Sequence, residues 1–202
     1  MEFLNLNLEK KQKIQLKKPG QYLTFFYNLS GEIEIEILNS NISIEIFGIY
    51  FGEKNDNFSL KTTQHHLFPK SKSNLLIRGI FFDQSQFNYE GLIKIEKKAQ
   101  KSVAYQKNQN LVFSPHCLIE TKPYLEILAN DVYCTHGSTT GQLNKNQIHY
   151  LRSRGIKINV AKKLLVEGFL NEIFNQIKNF GLEDKIKKDK SIILNNLKNA
   201  QY

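Results

Sequence analysis

Cys134-Thr135-His136 holds the most reactive side chains in the sequence at a spacing that suits chemistry. In an extended segment, residues i and i+2 leave the same face. A strand reaching His136 therefore projects a thiol and an imidazole side by side, about 6–7 Å apart at Cα, a workable bite for a soft metal. Gly137 and Gly141 bracket Ser138-Thr139-Thr140, a stretch read as a turn where the backbone can approach a neighbour closely. Cys117 follows Ser114-Pro115-His116 and makes a second thiol–imidazole pair. Two thiolates and two histidines could form a four-ligand zinc site, although these spacings match no zinc-finger pattern. An iron–sulfur cluster held by one chain normally takes four cysteines. With two, any cluster must be shared between chains or use histidine. His65-His66 is a third polar pair, whose members point to opposite faces of a strand, so at most one serves a given site. Against all of these stands the plain alternative, a buried cysteine packed as a small hydrophobe beside a hydrogen-bonded histidine.

Other chemistry is poorly provided for. The sequence has no Gly-x-Ser-x-Gly, P-loop, Gly-x-Gly-x-x-Gly or His-Glu-x-x-His motif. Cys134 and His136 as a nucleophile pair are disfavoured, because side chains at i and i+2 run parallel rather than converge. The net charge of +9 suggests nucleic acid, but only Arg78, Arg152 and Arg154 are arginine and the 25 lysines are scattered. Short groups such as Lys10/Lys11/Lys13, Lys162/Lys163 and Lys185/Lys187/Lys188 make no concentrated recognition face, so no nucleic-acid partner is expected. In so lysine-rich a chain, the three arginines mark positions that require a guanidinium. Two cysteines make no disulfide framework, and neither a secretory leader nor a long apolar span is visible. The expectation is a soluble globular protein of a reducing compartment.

These side chains must be positioned by short strands. Gly31-Glu32-Ile33-Glu34-Ile35-Glu36-Ile37 alternates strictly, and the alternation resumes at Ile42, Ile44 and Ile46 after Asn39-Ser40-Asn41. Further β-like runs fall at 58–62, 75–82, 92–96, 111–114 and 124–128. Such spacing fits a sandwich, a barrel or a β-solenoid. After Gly141 the period becomes helical. Asn144 can cap a helix that stops at Gly155, and a stronger helix spans about 160–180, with Asn159 before it and Gly181 after. A charged helix occupies 182–200. The division is residues 1–143 as β core and 144–202 as helical segment. The helices either cover an open sheet edge or form a docking surface.

Several segments occur in a recognisable order: Lys72-Ser73-Asn74-Leu75-Leu76-Ile77-Arg78-Gly79, then residues 87–95 and 104–111, then Thr121-Lys122-Pro123-Tyr124-Leu125-Glu126-Ile127. Asn130-Asp131-Val132-Tyr133-Cys134-Thr135-His136-Gly137 and Tyr150-Leu151-Arg152-Ser153-Arg154-Gly155-Ile156 complete the series. Together they resemble the core of the SufB/SufD family of SUF iron–sulfur assembly scaffolds, on the SufD side, over about residues 33–180. The resemblance implies a right-handed parallel β-helix with a C-terminal helical segment. It implies a cytoplasmic or plastid scaffold without catalytic activity. It implies docking of a SufC-type ABC ATPase through the helices, and pairing with a SufB-type scaffold or a second copy. A transient iron–sulfur cluster would form at the shared interface. The SufD histidine maps onto His136, with Cys134 as its neighbour. Cys117 falls where SufB carries its cluster-building cysteine, six residues before Pro123, so a homodimer could combine Cys117 with His136; otherwise Cys117 is an incidental thiol. The rival readings are a structural β-solenoid without metal chemistry and a zinc-dependent or thiol hydrolase. Arg152 and Arg154 are read as structural anchors.

Overall fold

In the computed structural model, which describes residues 1–9 and 12–200, the isoleucine–glutamate alternation becomes part of a parallel β-helix. Lys10 and Lys11 of the first lysine group lie outside the described residues. The strands are β1 (Glu2–Asn5), which is followed by the one-turn helix α1 (Leu6–Glu9), β2 (Lys13–Leu16), β3 (Gly20–Tyr27), β4 (Gly31–Ile37), β5 (Ile42–Gly52) and β6 (Asn57–His66). Then come β7 (Lys72–Phe81), β8 (Gln86–Ile95), β9 (Val103–Val112), β10 (Leu118–Ile127) and β11 (Tyr133–Gly141). Odd-numbered strands form one sheet and even-numbered strands the other, and every pairing is parallel. Ser43 lies beside Lys72, Lys72 beside Val103 and Val103 beside Tyr133, so one coil takes about thirty residues.

Each strand divides its side chains between the interior and an outer face. Ile42, Ile44, Ile46 and Tyr50 of β5 point inward to a core shared with Ile33, Ile35 and Ile37, Leu75, Ile77 and Phe87. Phe47, Ile49 and Phe51 point outward from the odd sheet, and so do Leu23, Phe25, Leu76 and Ile80. That outer face is apolar and must be covered. The cover is α3 (Ile158–Asn179) and α4 (Lys187–Asn199), which bury Val166, Leu170, Ile173, Phe174, Ile177, Ile193 and Leu197 against it. At about 1.5–3 kcal/mol for each fully buried large side chain, this contact dominates the attachment of the helices. The outer face of the even sheet is instead ionic and open to solvent, as the glutamates of β4 foreshadow.

Arg78 fixes the helices in position. It lies on the outward face of β7, only 5% exposed. Its guanidinium donates to the Phe169 carbonyl and to the Glu172 carboxylate of α3, donates to Gln109 at 2.9 Å, and stacks 4.5 Å from the Phe169 ring. Arg152 and Arg154, expected as anchors, are exposed and form no ion pair among the described residues; Arg154 lies over Tyr150 at 5.3 Å.

Some expectations need correction. The strand expected at 111–114 is the end of β9, which begins at Val103 and turns Gln106, Asn108 and Asn110 inward; polar inward residues erase the apolar alternation. The turn expected around Ser138 is strand, since β11 runs through Gly141 in register with Leu111. The helix expected to follow Asn159 starts at Ile158 after Lys157. Asn144 does cap α2 (Lys145–Ser153), accepting from the Asn146 and Gln147 N–H groups. Gly155 and Gly181 sit at φ +80° and +71°, left-handed positions that end the two helices. The helices cover the outer face of the odd sheet. No described element covers the end of the β-helix formed by β10 and β11.

Candidate functional site

β10 and β11 are the last described strands of their sheets, so together they make a terminal coil that no described element covers. In β11, Cys134 lies beside buried Ala104 and His136 beside buried Gln106. Both side chains therefore continue the inward stack of β9, and with no further coil above them they face the open end. The same-face geometry expected of residues i and i+2 holds. Cys134 is half-buried against Val132, Ala104 and Ala129, whereas His136 is exposed. Burial pushes the Cys134 thiol up to about 11, so near neutral pH it carries its proton until a ligand displaces it.

Beneath this pair is a floor that the sequence did not advertise. Gln106, Asn108 and Asn110 are 1–3% exposed inside the β-helix. Gln106 donates to the Gly91 carbonyl at 3.2 Å, and Asn110 donates to Asn108 at 2.6 Å and to Thr140 of β11 at 3.3 Å. Gln106 Oε1, Asn108 Nδ2 and Asn110 Oδ1 have no protein partner. Glycines make room for these amides: a Cβ at Gly91 would lie 2.2 Å from Gln106 Nε2, and one at Gly79 would lie 2.6 Å from Asn110 Oδ1. The only signal in the sequence was an uninterrupted run of polar residues, Gln106-Lys107-Asn108-Gln109-Asn110, where a strand would be expected to alternate.

Cys117 is brought to the same coil but not to the same place. The hydroxyls of Thr121 in β10 and Ser138 in β11 share a 2.6 Å hydrogen bond, which sets those residues at one level. The two strands run in opposite directions from there. At 3.3 Å per residue, Cys117 lies about 20 Å along the coil from His136 and about 26 Å from Cys134. Its sulfur donates to the Asp83 carbonyl at 3.7 Å and lies 3.8 Å from the Ser85 hydroxyl, and His116 beside it is exposed. One chain alone cannot place Cys117 and His136 on a common ion.

The adjacent histidines separate as expected. His65 faces outward, 3.0 Å from Glu96 and 4.0 Å from Glu34. With Glu34 and Glu36 it makes a compact trio of metal-ligand types among the described residues. The Lys13 ammonium already bridges those carboxylates at 3.0 and 2.8 Å. His66 is fully buried, its ring nitrogens 2.7 and 2.8 Å from the Ser71 and Ser73 hydroxyls, and burial pushes it down to about 4.

Comparison with known proteins agrees with this geometry. Residues 11–169 match the family model described as SUF system FeS cluster assembly, SufBD core domain. The chain is 30% identical over 151 residues to the iron–sulfur cluster assembly protein SufD of Escherichia coli, covering 75% of this chain and 36% of that protein. Against SufD of Bacillus subtilis the identity is 31% over 136 residues, 67% of this chain and 30% of the relative. A chloroplastic protein of Arabidopsis thaliana is 29% identical over 120 residues, 59% and 25% of the respective chains. The chain thus spans about a third or less of the length of these relatives. Among the described residues, no helix is long and apolar enough to cross a membrane.

Proposed function

The chain belongs to the SufBD core family of the SUF iron–sulfur cluster assembly system, and on that premise we propose that it is a non-catalytic, SufD-like scaffold subunit whose terminal coil supplies ligands to a nascent cluster shared with a second β-helix. The observation that carries this reading is the placement of Cys134 and His136 on the inward face of a coil that no described element covers. Within a sealed solenoid these residues would be core. At its open end they await a partner.

The cluster is cargo on this account. A thiolate and an imidazole suit iron, and an incomplete ligand set on each chain lets a cluster be released when the chains separate. Cys134 loses its thiol proton on ligation, so loading releases protons. Gln106, Asn108 and Asn110 give the site a polar floor able to hold water against the cargo. The second β-helix is a SufB-type chain or another copy. In a second copy, Cys117 and His136 meet only across the interface, given their separation within one chain.

A SufC-type ABC ATPase is the proposed driver, docked on the C-terminal helices. α2 suits this role: it buries no residue and begins four residues after β11 ends, so movement of α2 reaches the site strand directly. α3 stays pinned by Arg78. Family membership supports the cytoplasm or a plastid as the compartment. Anaerobic reconstitution of the chain with its ATPase and scaffold partner tests the assignment. His136→Ala is expected to keep its fold, by circular dichroism, and to lose most of its cluster. Undiminished cluster yield in that variant would overturn the proposal.

A further inference from the structure

One orphaned atom of the polar floor lies directly beneath His136. Gln106 Oε1 is buried and accepts from no described group. The amide is held by its other end: Nε2 donates to the Gly91 carbonyl at 3.2 Å, which leaves Oε1 as the free acceptor. A buried acceptor without a partner bears the full cost of its desolvation, so it takes up any donor within reach.

The register shows which donor that is. One inward column of the odd sheet runs Thr24, Ile46, Leu75, Gln106, His136, one residue per coil. Leu75, below Gln106, is buried and has no polar side-chain atom. His136, above it, carries a ring N–H. Neighbouring strands lie about 4.8 Å apart, a gap that a glutamine amide and an imidazole span together. The same relation is already a hydrogen bond four residues further along these strands, where Asn110 of β9 donates to Thr140, its neighbour in β11, at 3.3 Å. Nothing else holds the ring. The His136 side chain is exposed and makes no hydrogen bond or ion pair among the described residues.

We propose that Gln106 is the positioning residue of His136: its Oε1 accepts from one ring N–H, fixes the tautomer and turns the unprotonated nitrogen to the open end of the β-helix. A rotation of the ring about its side-chain bonds completes the contact. A histidine ligates through the nitrogen that lacks a proton, and an acceptor on the opposite nitrogen keeps the ligating one available and correctly aimed. A neutral amide does this without adding charge beneath a cargo that must leave again. Cys134 has no equivalent support, because its column neighbour is Ala104. The imidazole is therefore the pre-oriented member of the pair. The task given to that ring rests on the reading of His136 as a cluster ligand.

The test is the ring tautomer of His136 in the purified full chain without cargo. It is read from the ring-nitrogen NMR shifts of isotopically labelled histidine near pH 8.5, where an ordinary imidazole is neutral. His136→Ala identifies the signal, and exposed His149 is the reference within the same chain. The wild-type tautomer ratio should differ from that of His149 by about fivefold or more, as one net hydrogen bond demands. Gln106→Leu loses both the donor to Gly91 and the acceptor, and should bring the ratio to that of His149. Gln106→Glu loses the donor but keeps an acceptor, and should restore the wild-type tautomer. Gln64→Leu removes another buried, unpartnered amide, whose column neighbours are Ile35 and Ile93, and should leave His136 unchanged. A wild-type ratio equal to that of His149 overturns the proposal whether or not the variants fold, and so does a wild-type tautomer that persists in Gln106→Leu. Because the tautomer is read without cargo, either result leaves the cluster assignment standing. Undiminished cluster yield in His136→Ala overturns that assignment and leaves the Gln106 contact in place.

Discussion

Acidification should unlock the interior at His66 before it affects most of the surface. In the unfolded chain this histidine titrates near 6.5, and in the folded chain burial holds it near 4, helped slightly by the charge of His65. Above pH 6.5 the imidazole is neutral in both states and its contribution to stability is fully present. Between 6.5 and 4 the unfolded chain binds a proton that the folded chain refuses, so stability falls as pH falls; below 4 the loss is complete. The whole interval is worth about 3 kcal/mol, of which about 2 kcal/mol is already gone at pH 5. Urea unfolding of wild type and His66→Gln at pH 7.5, 6, 5 and 4.5 measures this. The variant is less stable throughout, because a glutamine cannot serve both the Ser71 and Ser73 hydroxyls as the ring does. Its pH dependence should nevertheless be shallower by about 2 kcal/mol between pH 7.5 and 5. Parallel stability profiles for the two proteins would refute the argument, since they would mean that burial at this position does not resist protonation.

Three further outcomes follow from the packing. Arg78→Met removes the donor to the Phe169 carbonyl and strands Glu172; hydrogen exchange should accelerate across 158–199 with the β-helix little changed, and Arg78→Lys, which lacks the planar fork, should not restore protection. Gly91→Ala drives a Cβ into Gln106 and the Tyr89 hydroxyl and should cost about 2 kcal/mol or more in thermal or urea unfolding, whereas Gly141→Ala, with nothing within 4 Å, should be near neutral. In a Cys117→Ser background, alkylation of Cys134 by iodoacetamide should climb about tenfold per pH unit until close to 11; a plateau near pH 8.5 would show that burial does not raise this thiol.

How much of this was legible in the residues depended on which face they served. Where one face is apolar and the other ionic, as in β4, isoleucine and glutamate spell out the strand and even foretell that the even sheet keeps an ionic outer face. Where both faces are apolar, as in β5 and β7, the run is visible but its division between the core and the helix-covered face is not. β9 was misplaced because its inward residues are amides. The coil repeat stayed hidden because its corners are held by positive-φ residues of ordinary type, among them Lys54, Lys70 and Lys101, that no motif marks. The Cys134–His136 pair was legible because strand periodicity alone places i and i+2 together. The remoteness of Cys117 was not, since it depends on the levels of β10 and β11 across the coil. Arg78 stood out through the scarcity of arginine, and its helix partner emerged only from the packing of α3.

The central claim is that His136 holds a cluster shared between two β-helices. Pulsed EPR on the reduced, reconstituted complex, with isotopically labelled histidine in this chain alone, measures that contact directly. The account predicts nitrogen hyperfine coupling to the cluster that follows the label and vanishes in His136→Ala. A cluster of undiminished yield with no coupling to nitrogen from this chain would contradict it.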